Sequence, residues 1–235
     1  MMLLLTSAAV LLGVTMMKWP PPWAPDWRQA LGRLGVTDPR VLAVMSRVHR
    51  GEYLPWETQG HELEDRPLYI GYGQTTSQPS LIAEMLQALR LEPGAKVLEV
   101  GTGCGYQTAL LAELGCEVYS IEVVEPLSAR AQRRLTRQGY EVHLRVGDGY
   151  LGWPEEAPYD AIVVCASAPR IPAPLVEQLR PGGGLVIPVG EALERVTKTD
   201  DGQACLEHLL PVTFVPLTGA LAARDRDEER RTPKA

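Results

Sequence analysis

Two short stretches hold most of the chemistry that the sequence offers. The first is Val97-Leu98-Glu99-Val100-Gly101-Thr102-Gly103-Cys104-Gly105-Tyr106, an apolar strand-like run that breaks into alternating glycines before a helical segment. Glycines at such a point let the chain turn sharply and let a ligand approach the backbone. The first N–H groups of the helix that follows are left free to face it. The spacing is GxGxG, whereas a dinucleotide fingerprint is GxGxxG, opening a helix N-terminus to a pyrophosphate. Glu99, just ahead of the glycines, would repel a pyrophosphate and suits a ligand carrying an ammonium and a sulfonium. S-adenosyl-L-methionine carries both. Glu122 ends the next strand-like run, where a carboxylate can accept both ribose hydroxyls. Asp148 follows in Gly147-Asp148-Gly149 and could accept from an adenine amino group. Each acid alone is as well explained by a helix cap or a solvated turn. Three at successive strand ends point to one cofactor, with Glu99, Gly101, Thr102, Gly103, Gly105, Glu122, Asp148 and Gly149 as its contacts.

The second stretch is Ile70-Gly71-Tyr72-Gly73-Gln74-Thr75-Thr76-Ser77-Gln78-Pro79. Proline favours the first helical turn, so Ser77 is expected at or just before a helix N-terminus. There it can cap the helix. It can also join the free N–H groups and the positive end of the helix dipole in holding a carboxylate. Gly71 and Gly73 would let the loop close over the pocket.

The elements that must position these residues alternate in type. A helix from Asp26 is closed by Gly32 or Gly35, and Thr37-Asp38-Pro39 starts another with apolar residues at helical spacing. A polar connection, HRGEYLPWETQGHELEDRPLY, leads to the loop, and the amphipathic SLIAEMLQALRL follows it. Then come strand KVLEVG, helix QTALLAEL, strand CEVYSIE, helix PLSARAQRRLTRQG, strand EVHLRVGDG, strand YDAIVVCASA, helix PAPLVEQL, turn RPGGG and strand LVIPVG. Such alternation predicts an α/β, Rossmann-like fold: a mostly parallel sheet with helices on both faces.

With 235 residues, 45% of them hydrophobic, the chain can bury one sizeable core. The single Phe leaves Leu, Val and Ala to fill it. The net charge of −6 argues against a nucleic-acid partner, which needs a basic face. Cys104, Cys116, Cys165 and Cys205 form no CxxC pair, so neither a metal site nor a disulfide framework is expected, and reduced thiols in the cytoplasm are. Residues 1–25 are an apolar and then proline-rich segment. MMLLLTSAAVLLGVTMM lacks the leading charge of a signal peptide. It would span only ~25 Å as a helix, against a hydrocarbon core of ~30 Å. Translation starting at Met16 or Met17 is one reading, and export or anchoring through residues 1–17 is the other. Residues 26–219 make one domain with a helical part at 26–90, and 220–235 form a charged tail with nothing to bury, expected to be disordered.

IGYGQTTSQP, VLEVGTGCGYQTALLAEL, YSIEVVEPLSARA, GDGYLGW, YDAIVVCASAPRIP, LRPGGGLVIPVG and VTFVPLTG together resemble the bacterial protein-L-isoaspartate O-methyltransferases, from about Trp27 to about Gly219. The glycine motif alone would imply only a methyltransferase; the GQTxSQP loop makes the likeness specific. The resemblance implies S-adenosyl-L-methionine-dependent methylation of the free carboxylate of L-isoaspartyl residues in damaged proteins and peptides. The ester then closes to a succinimide. It also implies a monomer, an N-terminal helical extension, an altered strand order near the C-terminus, and Ser77 as the active-site serine. Gly73, Gln74, Thr75, Thr76 and Gln78 complete its substrate loop, and Glu99, Glu122 and Asp148 match the cofactor acids. The sequence departs from the family pattern at Cys104 (often Ser), Thr76 (usually Ile), Ser80 (commonly Tyr), Cys165 (usually Thr) and HRGEYLP (usually a PRxxF-like entry). Cys165 reads as buried packing, and His49 and His61 as surface residues of the connection. Three rivals stay open on the residues alone: a methyltransferase for another acceptor, a protein that senses the cofactor without turnover, and an NAD-dependent oxidoreductase, which the GxGxG spacing and Glu99 disfavour.

Overall fold

The computed structural model describes residues 27–219; the apolar segment at 1–25 and the charged tail at 220–235 lie outside them. Helix α1 (Trp27–Arg33) ends at Gly35, whose φ of +99° suits a residue without Cβ. There the Val36 N–H reaches back to the Leu31 carbonyl at 3.1 Å, closing the helix with both side chains buried. Asp38 caps α2 (Pro39–Arg47), accepting from the Arg40 and Val41 N–H groups. The polar connection holds a 3-10 turn (Arg50–Tyr53) and a short helix, α3 (Trp56–Gln59).

The loop expected next contains a hairpin, β1 (Leu68–Gly71) and β2 (Gln74–Thr76), turning at Tyr72-Gly73. Helix α4 (Pro79–Ala88) follows. The nucleotide-type alternation then runs as β3 (Lys96–Val100), α5 (Tyr106–Glu113), β4 (Glu117–Glu122), α6 (Glu125–Arg137), β5 (His143–Val146), β6 (Tyr159–Val164), α7 (Ala173–Glu177), β7 (Leu179–Val189), β8 (Ala192–Lys198) and β9 (Ala204–Pro211). One seven-stranded sheet takes them in the order β5-β4-β3-β6-β7-β8-β9. Pairing is parallel from β5 to β7 and antiparallel from β7 to β9. The chain leaves β3 for β4 on one side and later returns to β6 on the other. This is the switch point where such sheets open a crevice at the carboxyl ends of their strands.

Residues of β3 alternate between the two faces of the sheet. Leu98 and Val100 pack with Ile162, Val164, Leu185 and Ile187 in one core, while Val97 packs with the α4 and α5 side chains in the other. Glu99 therefore points to the α5 side. The expected turn at RPGGG is instead the first part of β7, a bulge between Leu179 and Gly184 against Tyr159 and Ala161. A Cβ on Gly183 would lie 2.9 Å from the Arg180 carbonyl oxygen and 3.0 Å from that of Asp160, so the bulge needs a bare backbone there.

Leu110 on α5 is fully buried and lines neither of the clefts described below. Leu110→Ala should lower unfolding free energy by about 2–5 kcal/mol, read as a lower denaturant midpoint with unchanged slope.

Candidate active site

The turn after β3 is held by its neighbours. Its Gly101 and Thr102 N–H groups both reach the Ile121 carbonyl of β4, at 2.8 and 3.3 Å. Gly101 has φ +98° and Gly103 φ +53°. A Cβ on the first would meet Cys165 Cβ at 3.3 Å, and on the second Ile70 Cδ1 at 3.2 Å, so a side chain at either position would crowd its neighbour on a backbone that already favours glycine.

Two acids brace this turn from different sides. Glu99 has no exposed surface, and its Oε2 accepts from the Thr108 hydroxyl at 2.5 Å and the Ser120 hydroxyl at 2.6 Å. The Ser120 and Thr102 hydroxyls are 2.6 Å apart, which carries the network into the glycine turn. Glu99 Oε1 is buried without a hydrogen-bond partner among the described residues. Burial pushes the Glu99 pKa up to about 7, against the pull of its two hydroxyl donors. Glu122 is nearly as buried, and its two oxygens accept from the Gly103 N–H at 2.8 Å and the Val124 N–H at 2.9 Å. It ties the glycine turn to the start of α6.

Two clefts meet above these braces. The first encloses about 780 Å³, open to solvent, and is lined by the glycine turn, the ends of β3 and β4, the β1–β2 hairpin and Val215–Thr218. Among the described residues Glu122 is the one charged residue in its lining. The second, about 1720 Å³, runs between α4 and the segment Leu209–Val215. Thr75, Ser77, Cys165 and Val215 line both.

Of the residues singled out from the sequence, Gln74, Thr75, Thr76, Ser77, Gly101, Thr102, Gly103, Glu122 and Gly149 line the first cleft. Gln78 lines only the second, and Gly73, Glu99, Gly105 and Asp148 line neither. The three acids are therefore placed differently around the first cleft, with Glu122 alone in its lining. Glu99 sits behind the turn because its strand position faces α5. Asp148 turns back to cap the 3-10 turn Gly149–Leu151, accepting from the Tyr150 N–H at 3.1 Å, and packs under Gly219. His49 and His61 pair with Glu62 and Glu64 and line neither cleft.

Ser77 stands just before a helix N-terminus, as expected, with Gln78 as the N-cap residue of α4. Pro79 has no N–H to offer, and the Ser80 N–H already binds Asp65 Oδ1 at 2.9 Å. A carboxylate thus sits on the α4 N-terminus, where an incoming carboxylate would meet repulsion. The anion site expected there is taken by the protein's own side chain. The Ser77 hydroxyl makes no hydrogen bond among the described residues. Thr76, buried beside it, lines the same cleft as Cys104 of the glycine turn, so two departures from the family pattern are neighbours there. Cys165 receives a hydrogen bond from Gln107 Nε2 at 3.2 Å. Burial, reinforced by Glu99 and Glu122, raises its pKa well above the usual thiol value, so it stays a neutral wall between the clefts. Gln107, Cys165 and Val215–Thr218 are lining residues not assigned to the site from sequence; only the polar residue one step into α5 carried a local signal.

The sequence profile of the protein-L-isoaspartate(D-aspartate) O-methyltransferase family matches residues 29–222. A protein-L-isoaspartate O-methyltransferase 2 of Polaromonas sp. is 53% identical over 188 residues, 77% of this chain and 89% of that one. A protein-L-isoaspartate O-methyltransferase of Anaeromyxobacter dehalogenans is 52% identical over 195 residues, 80% of this chain and 93% of that one. A solved protein-L-isoaspartate O-methyltransferase superposes with a TM-score of 0.77 at 27% identity, covering 88% of this chain and 70% of the other. One from Plasmodium falciparum, in complex with S-adenosyl-L-homocysteine, superposes at 0.71 with 29% identity, covering 82% and 96%.

The raised Glu99 pKa has a stability consequence. The folded protein holds a proton on Glu99 between its ordinary 4.5 and about 7, which the unfolded chain has lost. The contribution is fully present below pH 4.5 and is lost as pH rises through 7, up to about 3 kcal/mol at 1.36 kcal/mol per unit. Glu99→Gln should therefore flatten the fall of Tm between pH 5 and 8, followed by thermal melts across that range.

Proposed function

Because the chain belongs to the protein-L-isoaspartate(D-aspartate) O-methyltransferase family, we propose that its first cleft takes the cofactor, its second takes the damaged peptide, and Ser77 works where they meet. The activity is S-adenosyl-L-methionine-dependent methyl transfer to the free carboxylate of L-isoaspartyl residues, which starts their repair through a succinimide. The observation that carries the assignment of the clefts is their shared wall of Thr75, Ser77, Cys165 and Val215.

The cofactor's character fits the first cleft. Its single lining charge is a carboxylate, which suits an ammonium and a sulfonium and opposes a pyrophosphate. Each Glu122 oxygen accepts one backbone N–H and keeps a lone pair for a ribose hydroxyl. Glu99 and Asp148 act at one remove, fixing the glycine turn and the segment ending in Gly149. When bound, S-adenosyl-L-methionine supplies a methyl group activated by its sulfonium. The acceptor needs no general base, since carboxyl pKa values lie near 4 and the nucleophile is already ionised. The protein's task is to place it. Ser77 donates its hydroxyl to one oxygen of the acceptor carboxylate and leaves the other facing the first cleft. Cys165 and Val215 close the wall around it, which excludes water. In-line positioning of this kind contributes ~7–11 kcal/mol.

The damaged peptide is read into the second groove because Leu209–Val215 offers it an extended, mostly apolar wall facing α4. No helix among the described residues is long and apolar enough to cross a membrane. All four thiols are free, which supports a reducing, cytoplasmic setting. We take the protein as a monomer, and residues 26–219 as one domain whose helical part at 26–90 carries the acceptor loop.

Ser77→Ala should cut turnover on an L-isoaspartyl peptide by about 100-fold while leaving S-adenosyl-L-homocysteine affinity unchanged. The assay is labelled methyl transfer to that peptide beside its ordinary aspartyl counterpart, with base-labile ester on the first only. A parallel loss of cofactor affinity would remove the role given to Ser77. Glu122→Gln should do the reverse, weakening S-adenosyl-L-homocysteine binding in calorimetry, because the amide cannot accept from both backbone N–H groups and the ribose.

A further inference from the structure

Arg50 is 2% exposed, yet no ion pair holds it among the described residues. Its fork binds carbonyl groups alone. Nη1 donates to the Glu64 carbonyl at 3.0 Å and, longer, to that of Glu62 at 3.5 Å. Nη2 donates to the Arg66 carbonyl at 3.2 Å and to the Ser77 carbonyl at 2.9 Å. A buried cation is costly unless its donors are used. The place where these are used is informative. Glu62, Glu64 and Arg66 precede the β1–β2 hairpin, and Ser77 is the first residue after it. One guanidinium thus joins the two ends of the hairpin at its base.

We propose that Arg50 is the positioning residue for the acceptor serine: by holding the Ser77 carbonyl it fixes the direction in which the Ser77 hydroxyl faces the junction of the two clefts. The inference rests on the role given to Ser77 above. Neighbouring contacts leave this bond to set the corner. Thr76 is paired with Leu68 across the hairpin on one side, and the Ser80 N–H is held by Asp65 on the other. Between them the Ser77 backbone has the Arg50 fork as its hydrogen-bond partner. Lysine could not replace it, since a single ammonium cannot span carbonyls from both sides of the hairpin as a planar fork does.

The test is a double-mutant cycle on the full chain with Arg50→Met, Arg50→Lys and Ser77→Ala. It reads kcat and KM for an L-isoaspartyl peptide, S-adenosyl-L-homocysteine affinity, and Tm. In the native background both Arg50 variants should lower kcat about 100-fold with cofactor affinity unchanged. In the Ser77→Ala background they should cost little more, because the residue through which Arg50 acts is gone. Should Arg50→Met fail to fold, Arg50→Lys, which keeps the charge, carries the cycle. Equal losses in both backgrounds, native turnover in the Arg50 variants, or a parallel fall in cofactor affinity would each overturn the proposal. Native turnover in Ser77→Ala alone would instead remove the Ser77 reading, and is scored before any Arg50 variant.

Discussion

Two buried carboxyl groups hold one glycine turn, and the geometry of the site descends from that arrangement. Glu99 works from beneath, through the hydroxyls of Thr108 and Ser120 and on to Thr102. Glu122 works from the side, through the N–H groups of Gly103 and Val124. Burying a carboxylate costs several kcal/mol unless hydrogen bonds offset it, so these bonds fix a conformation that apolar packing alone would leave loose. The hairpin is built onto the turn, with Ile70 against Gly103. Ser77 leaves the hairpin where the two clefts join.

The chemistry asks for little else. An ionised carboxylate and a sulfonium-bound methyl need alignment and a dry path, not proton transfer. The lining agrees with that demand: among the described residues the first cleft contains no histidine, lysine or arginine, and its thiols are neutral. What would be an acid–base site in a hydrolase is here a set of hydroxyls, amides and small side chains. The protein invests its polar groups in holding backbone, as Arg50, Asp65 and Glu122 each do.

Local signals were easy to read where the physics is local. The β3 run, its glycines, helix α5 and the acid closing β4 follow from spacing alone, as do the Asp38 cap and the glycine stop of α1. The site's finer assignments fail where a distant residue intervenes. The α4 N-terminus looks like an anion site until Asp65, many positions earlier, is found on the Ser80 N–H. Asp148 is legible as an acid at a strand end, but the cap it makes on its own turn is not. Glu99 lies outside the cleft lining because strand alternation sends it toward α5, where it meets Thr108. The RPGGG bulge, the hairpin inside the acceptor loop, and β8 and β9 all depend on strand pairing that no short window records. Spacing singled out Ser77 as a residue able to hold a carboxylate, and family resemblance supplied its active-site role and the acceptor chemistry, which the residues alone left open among three rivals.

The most direct test of this account is a crystal structure of the protein with S-adenosyl-L-homocysteine and an L-isoaspartyl peptide bound together. The account predicts the isoaspartyl carboxylate within hydrogen-bond distance of the Ser77 hydroxyl, the peptide along Leu209–Val215, and the ribose diol on Glu122. A carboxylate seated away from Ser77, for instance on the α4 N-terminus with Asp65 displaced, would contradict it.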